Sequence, residues 1–377
     1  MWKGLTWDHP RGFNALDAAS RDPDVPGHGR VSWDVQPLEG FESAPIAELC
    51  SRYDLVVLDH PHVGEAVEAD CLHSIEDIFG EDLINSLEAA SIGPSLSSYR
   101  FAGKHWALPL DAATQVMAVR PDLTASIPVM WDDVLALIDA GVPVAASIAG
   151  PHAALSFFSI CAALGEPPAV ANPEVLVSAD VCKKAHAILS RIVLSMPERA
   201  KPLNPIGLLD LMGCEDSIAL CPLVYGYVNY SRPADGRKPL RFHDAPRVAG
   251  GQPVGTLGGT GIGFSKRSVP DSALKEHVLW LMGKQAQCGF IPAHDGQPSR
   301  REAWLDIDVN AAWGDFYVNT ADTLENSYVR PRYSGYIAFQ TAASAALRES
   351  FDTDMPSDEV LEQLQDLYTK SRNGGER

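Results

Sequence analysis

Two short segments concentrate the residues able to do chemistry. Trp7-Asp8-His9-Pro10-Arg11 puts an aromatic face, a carboxylate, an imidazole and a guanidinium into five residues. Asp59-His60-Pro61-His62 adds a second carboxylate and two more imidazoles. Each segment ends a run that reads as a strand, residues 4–9 and 54–59. Parallel strands present ligand-binding groups at their carboxyl ends. If these two strands are neighbours, Asp8, His9, Asp59, His60 and His62 converge on one sheet edge. Three chemistries stay open for that cluster: capping of loop backbone, a hydrogen-bonding clamp on a polar ligand, and a metal or acid–base site. Zinc takes His and carboxylate ligands, and His60 and His62 share a face in an extended chain. No His-Glu-x-x-His helix adds to the metal idea.

Other segments carry single features. In Cys221-Pro-Leu-Val-Tyr225-Gly-Tyr227-Val-Asn229-Tyr230, Tyr225 and Tyr227 share a face of an extended chain, as do Tyr227 and Asn229. Tyrosine rings stack on apolar sugar faces while their hydroxyls hydrogen-bond; filling the core is the plainer alternative. Gly255-Thr-Leu-Gly258-Gly259-Thr260-Gly261 lacks the Lys-Ser/Thr of a phosphate loop and runs into a strand rather than a helix. Gly259 then suits a backbone wall against a ligand, or a crossover strand. Val329-Arg330-Pro331-Arg332-Tyr333 offers guanidinium groups to a carboxylate or phosphate, with ion pairs to the chain's many acids as the alternative. His294-Asp295-Gly296 reads as a surface turn. There is no Gly-x-Ser-x-Gly elbow. The seven cysteines are scattered with no Cys-x-x-Cys, which suggests small buried thiols.

The elements that must position these groups follow from periodicity. The 377 residues suggest two or three folding units. Residues 31–38, 115–120, 142–148, 218–224 and 254–265 read as further strands. Residues 13–21, 46–53, 75–90, 132–140, 151–164, 177–194, 274–288, 311–325, 336–350 and 357–371 read as helices. A hairpin is expected over 99–108 and loops over 231–254. Strands alternating with helices imply an α/β fold with a parallel sheet. Net charge is −19, which argues against nucleic acid or an anionic membrane as partner. No stretch reaches the roughly 18 apolar residues of a membrane span, so membrane insertion is not expected. Met1 is followed within a few residues by Trp7-Asp8-His9-Pro10-Arg11, with no signal-like apolar run. The expectation is a cytoplasmic protein, or a periplasmic or extracellular one if a signal has been removed.

The order of features resembles a known family. Gly103-Lys104-His105-Trp106-Ala107-Leu108-Pro109 is similar to the hairpin of family 1 extracellular solute-binding proteins, the sugar-type binding components of ABC transporters. Trp131-Asp132-Asp133-Val134-Leu135 resembles their second-lobe helix start, and Gly258-Gly259-Thr260-Gly261-Ile262-Gly263-Phe264 their return strand into the first lobe. The resemblance implies a two-lobed α/β fold of the periplasmic-binding-protein type, with a hinge and an interlobe cleft. Lobe 1 would take residues 1–111 and about 256–330, lobe 2 residues 112–255, and residues 331–377 would be helices near the hinge. It implies capture of a small polar solute, a carbohydrate, polyol or related acid, with an ABC permease as a possible partner. Trp7, Tyr225 and Tyr227 would supply stacking surface. Asp8, His9, Arg11, His60, Asp111, Asn229, Gly259 and Arg330 would supply hydrogen bonds, charge or close backbone approach. Asp111 follows the hairpin, where the resemblance places the first crossing between lobes. The alternative is an enzyme on the same fold, with His9, His60 and His62 as acid–base groups oriented by Asp8 or Asp59. Neither reading calls for a cofactor or a metal.

Overall fold

The computed structural model describes residues 1–373. The chain forms two compact units. The first takes Met1–Ala113, Gly258–Ala312 and Arg332–Ser334; the second takes Thr114–Leu257, Trp313–Pro331 and the chain from Gly335.

Ten strands are present in chain order among the described residues: β1 (Trp2–Trp7), β2 (Val31–Gln36), β3 (Leu55–Leu58), β4 (Arg100–Phe101), β5 (Lys104–His105), β6 (Leu108–Asp111), β7 (Gln115–Val119), β8 (Leu220–Tyr225), β9 (Arg241–His243) and β10 (Thr260–Phe264). The first unit is built on a sheet of order β2-β1-β3-β10-β6. Strands β1, β2 and β3 are parallel. Strand β10 runs antiparallel to both β3 and β6. The four residues of β3 are all buried, as a central strand covered on both faces requires. The helix Pro10–Arg21 starts on a His9 cap with proline in its first turn, the position where a missing N–H is harmless. Its buried Ala15, Leu16 and Ala19 lie along one stripe.

The second unit holds an antiparallel sheet of order β8-β7-β9. The helix His152–Ala163 is buried on every side. Residues 313–330, expected with the first lobe, and the chain from Gly335, expected as helices near the hinge, group with this second unit. The reason is packing. Phe316 meets Phe242 edge-on at 5.0 Å, and Phe339 of the helix Tyr336–Thr353 stacks on Phe158 at 6.2 Å. Ser344 Oγ accepts from the Ala154 N–H.

Several expected elements differ in detail. The helix over 75–90 is two, Ile75–Phe79 and Glu81–Ala90, because Gly80 sits at φ 81° between them. Residues 142–148 form no strand; Val144 makes one bridge to Leu220, next to Pro143, which has no N–H to give. The segment 231–254 is not all loop, since β9 pairs with Met117–Val119. The helix over 311–325 is interrupted at Gly314 and Asp315, both with positive φ.

Candidate functional site

The register of the first unit brings distant segments to one edge. Gly4 pairs with Leu55 and Leu5 with Val56, so the carboxyl ends of β1 and β3 are neighbours. Gly261 pairs with Leu58, and Thr260 with Asp111. The edge therefore collects the loop after β1, the turn after β3, the start of β10 and the end of β6. It holds Trp7, Asp8, His9, Arg11, Asp59, His60, His62, Asp111 and Gly259.

Their side chains divide into paired and unpaired. Arg11 and Asp111 bind each other in a two-pronged ion pair, Nε to Oδ2 at 2.8 Å and Nη2 to Oδ1 at 2.5 Å. Both side chains are almost fully buried, at 4% and 5% exposure. No local sequence pattern announces a bond between residues a hundred positions apart. Trp7 is buried, its ring stacked on His9 at 5.1 Å. It lies so close to Gly12 that a Cβ there would sit 2.1 Å from the indole nitrogen. His9 Nδ1 accepts from the Arg11 N–H at 3.1 Å, which leaves Nε2 to carry the proton of the neutral ring. Asp8 is exposed.

The histidines after β3 are not in extended chain. His60–His62 is a 3-10 turn leading into the helix Val63–Glu68, so the shared face expected for His60 and His62 is lost. Asp59 caps that turn, Oδ1 accepting from the His60 N–H at 2.8 Å and lying 3.0 Å from His60 Nδ1. His60 is fully buried. His62 is 3% exposed. Its Nδ1 is 3.9 Å from Glu65 Oε2, too far for a hydrogen bond. Both His62 nitrogens and the buried Thr260 Oγ1 lack a hydrogen-bond partner among the described residues. Among those residues, no group of three or more His, Cys, Asp or Glu is arranged to hold a metal ion.

Backbone constraints keep this edge tight. Gly259 has φ 89°, and a Cβ on it would lie 2.4 Å from the Asp111 carbonyl oxygen. The turn expected at 294–298 has a second role: Gln297 and Ala112 exchange hydrogen bonds at 3.0 Å, and Asn14 Nδ2 donates to Asp295 Oδ2 at 2.8 Å. Gln297 carried no signal in the sequence beyond its place in that turn.

The other expected residues lie in the second unit. Tyr225 ends β8 half-buried, its ring edge-on to His152 at 5.9 Å and its hydroxyl donating to the Leu257 carbonyl at 3.4 Å. Tyr227 is buried, edge-on to Tyr230 at 6.4 Å. Tyr230 donates to Asp210 at 2.8 Å; burial and then that carboxylate push its hydroxyl pKa up. Asn229 sits in a 3-10 turn, with its Oδ1 buried and unpartnered among the described residues. Arg330 is buried and serves the backbone, donating to the Leu257 carbonyl at 3.1 Å and to Gln340 Oε1 at 3.0 Å. The second unit also has a cavity of about 390 Å³ lined by Met117, His243, Asp244, Arg247, Asn319 and Asp322 among others. Burial, reinforced by the charge of Arg241, lowers the His243 pKa, and burial raises that of Asp244. Asp244 accepts both the N–H and the O–H of Thr323.

No protein-family model matches the chain, and no curated protein matches it significantly in sequence. Solved structures do match. An ABC transporter solute-binding protein of Agrobacterium radiobacter in complex with ribitol superposes with a TM-score of 0.81 at 18% identity, over 98% of each chain. A maltose-bound MalE3 of T. maritima gives 0.78 at 14% identity, over 98% of this chain and 99% of that one. A solute-binding protein of Thermotoga lettingae bound with alpha-D-tagatose gives 0.77 at 13%, over 98% of each. The fold is that of the two-lobed ABC transporter solute-binding proteins. No helix among the described residues is long and apolar enough to cross a membrane.

Proposed function

We propose that this protein is a solute-binding protein that captures a neutral polyhydroxy compound, a sugar or polyol, and returns it unchanged, with an ABC permease as the partner that receives it. The observation that carries the reading is the division of labour at the edge of the first unit. Its strongest charges, Arg11 and Asp111, already satisfy each other. What remains is hydrogen-bonding capacity, His62 Nδ1 and Nε2 and Thr260 Oγ1, buried with no protein partner among the described residues. Leaving such an atom unsatisfied costs about 1–3 kcal/mol. A ligand hydroxyl both donates and accepts, so it suits either nitrogen of a neutral imidazole and a threonine hydroxyl alike. The ribitol, maltose and tagatose held by structures of this fold support that class.

Calorimetry of the purified protein against ribitol, D-tagatose, maltose and citrate tests this. Saturable heat with a neutral polyol or sugar is expected, with the ligand recovered intact by mass spectrometry. His62→Ala should weaken binding about tenfold, the equivalent of roughly 1.4 kcal/mol. Binding of citrate alone, conversion of the ligand, or unchanged affinity in the variant would overturn the reading.

A further inference from the structure

The cavity of about 390 Å³ in the second unit shares no residue with the edge assigned to the polyol. Its size falls within the roughly 300–1,000 Å³ typical of small-molecule sites. Residues 127–129, the exit of β9 at 243–247 and residues 318–322 wall it. Hydrogen bonds pin these stretches together, so the cavity is preformed. The Arg247 N–H donates to the Val129 carbonyl at 3.0 Å, and the Trp131 N–H to the Arg247 carbonyl at 3.1 Å. Thr323, next to the third stretch, donates to Asp244 Oδ1 with its N–H at 2.8 Å and its O–H at 2.7 Å. Its hydroxyl oxygen also accepts from the Ala245 N–H at 2.9 Å.

The lining combines an apolar wall with charges of both signs. Ile127, Val129 and Val318 are exposed large aliphatics, and all three line this one cavity. A single exposed aliphatic is ordinary, whereas several gathered on one concave surface mark an apolar contact. The charged groups are uncommitted. Asp244 uses Oδ1 alone for Thr323. Among the described residues, its Oδ2, the Asp322 carboxylate and the Arg247 guanidinium form no hydrogen bond or ion pair. We propose that this cavity is a second binding site, for an aliphatic α-amino acid. The ammonium group bonds Asp244 and Asp322, the carboxylate pairs with the Arg247 guanidinium, and the branched side chain lies against Ile127, Val129 and Val318. A ligand with only one charge leaves either the acids or the guanidinium without a partner, and a neutral sugar leaves both. The titration behaviour agrees. Burial first, with the charge of Asp322 adding to it, raises the Asp244 pKa, the mark of neighbouring acids that lack a cation. Burial and then Arg241 lower the His243 pKa, so its imidazole stays neutral and can accept an ammonium N–H.

Calorimetry with L-leucine, isoamylamine and isocaproate tests the site. Saturable heat is expected with leucine. Isoamylamine lacks the carboxylate and isocaproate the ammonium group, so each should bind at least about tenfold more weakly, the scale of one charge-assisted hydrogen bond. Arg247→Gln and Asp322→Asn should each weaken leucine binding by a similar factor. Both should leave the melting temperature of the free protein unchanged, because neither side chain is bonded among the described residues. His62→Ala should leave leucine binding as it was. The proposal fails if leucine gives no saturable heat, if isoamylamine binds as tightly as leucine, if the Arg247 and Asp322 variants keep full affinity, or if His62→Ala abolishes leucine binding. The polyol reading rests on other ligands and on the His62 variant, so the two can fail separately.

Discussion

Each unit holds one buried guanidinium bound by aspartate, and the two are built differently. In the first unit Arg11 and Asp111 are both sealed in, at 4% and 5% side-chain exposure. In the second, Arg120 is just as buried, but its partners Asp122 and Asp216 are 44% and 65% exposed. Arg120 also donates to the carbonyls of Met212 and Glu215, and Lys238 lies against both of its aspartates. The first arrangement seals both charges and the bond between them away from water. The second is a network in which any one acid can be lost. The buried pair stands where the chain end of β6 meets the start of the helix Pro10–Arg21. It thus fixes the edge assigned to the ligand, whereas the network closes a solvent-facing corner.

The largest effect expected from this contrast is that of Asp111→Ala. Breaking a buried ion pair from one side costs roughly 3–5 kcal/mol, because the remaining buried charge loses its counter-ion. Urea unfolding of the variant should show that loss, together with loss of ligand binding. A cost near zero would mean that Arg11 finds water or another acceptor, and the distinction between pair and network would fail.

How far the sequence led differs between the units for the same physical reason. Parallel strand ends are local: a β-branched run followed by Asp-His-Pro-His already states where its polar groups emerge, so the clustering of Asp8, His9, Asp59 and His60 was legible. The pairing of Arg11 with Asp111 was not, because it depends on β10 inserting between β3 and β6. Nor was the 3-10 turn of His60–His62, where the Asp59 cap overrides the extended pattern assumed for the dipeptide spacing. In the second unit the strands are short and antiparallel, and the helix His152–Ala163 is apolar all round, so no periodicity says which face meets which. Arg330 looked like an anion receptor because a guanidinium in an acidic chain draws attention. It donates to the Leu257 carbonyl and to Gln340, neutral groups that no charge pattern reveals. The two-lobed fold itself was legible only through the resemblance of the hairpin and the return strand.

An intermediate effect separates the units by pH. His277 in the first unit, and His186 and His243 in the second, all have pKa values lowered by burial first, with Arg241 adding to the effect at His243. A buried imidazole that resists protonation leaves the unfolded chain binding more protons below about pH 6.5. Stability from these groups is therefore complete above that pH and falls as pH drops toward the lowered folded values. The melting temperature should decline between pH 7.5 and 5.5. His277→Gln should remove a smaller part of that slope than His186→Gln with His243→Gln. A flat profile over this window would show that the three rings protonate in place.

The smallest effect is expected at Asp122→Ala, and it is the sharper half of the comparison. Its carboxylate pKa is held well below the usual range, first by the hydrogen bond from Arg120 and then by Lys238. A depressed carboxylate contributes stability above its unfolded pKa, about 3.9, and loses it as pH falls through the folded value. Yet the group is nearly half exposed, where water and salt screen the attraction, so removing it should cost less than about 1 kcal/mol at neutral pH. Arg120 keeps Asp216 and two backbone carbonyls, and no buried charge is stranded. The difference from wild type should shrink further in about 1 M salt, where the Debye length is near 3 Å, and shrink progressively as pH falls below about 3.9 toward the lowered folded value. The cost of Asp111→Ala should barely respond to salt, because the pair it breaks is out of reach of the ions. If Asp122→Ala instead costs as much as Asp111→Ala, the exposed acids do not share Arg120 between them, and the corner is held by one bond like the edge of the first unit.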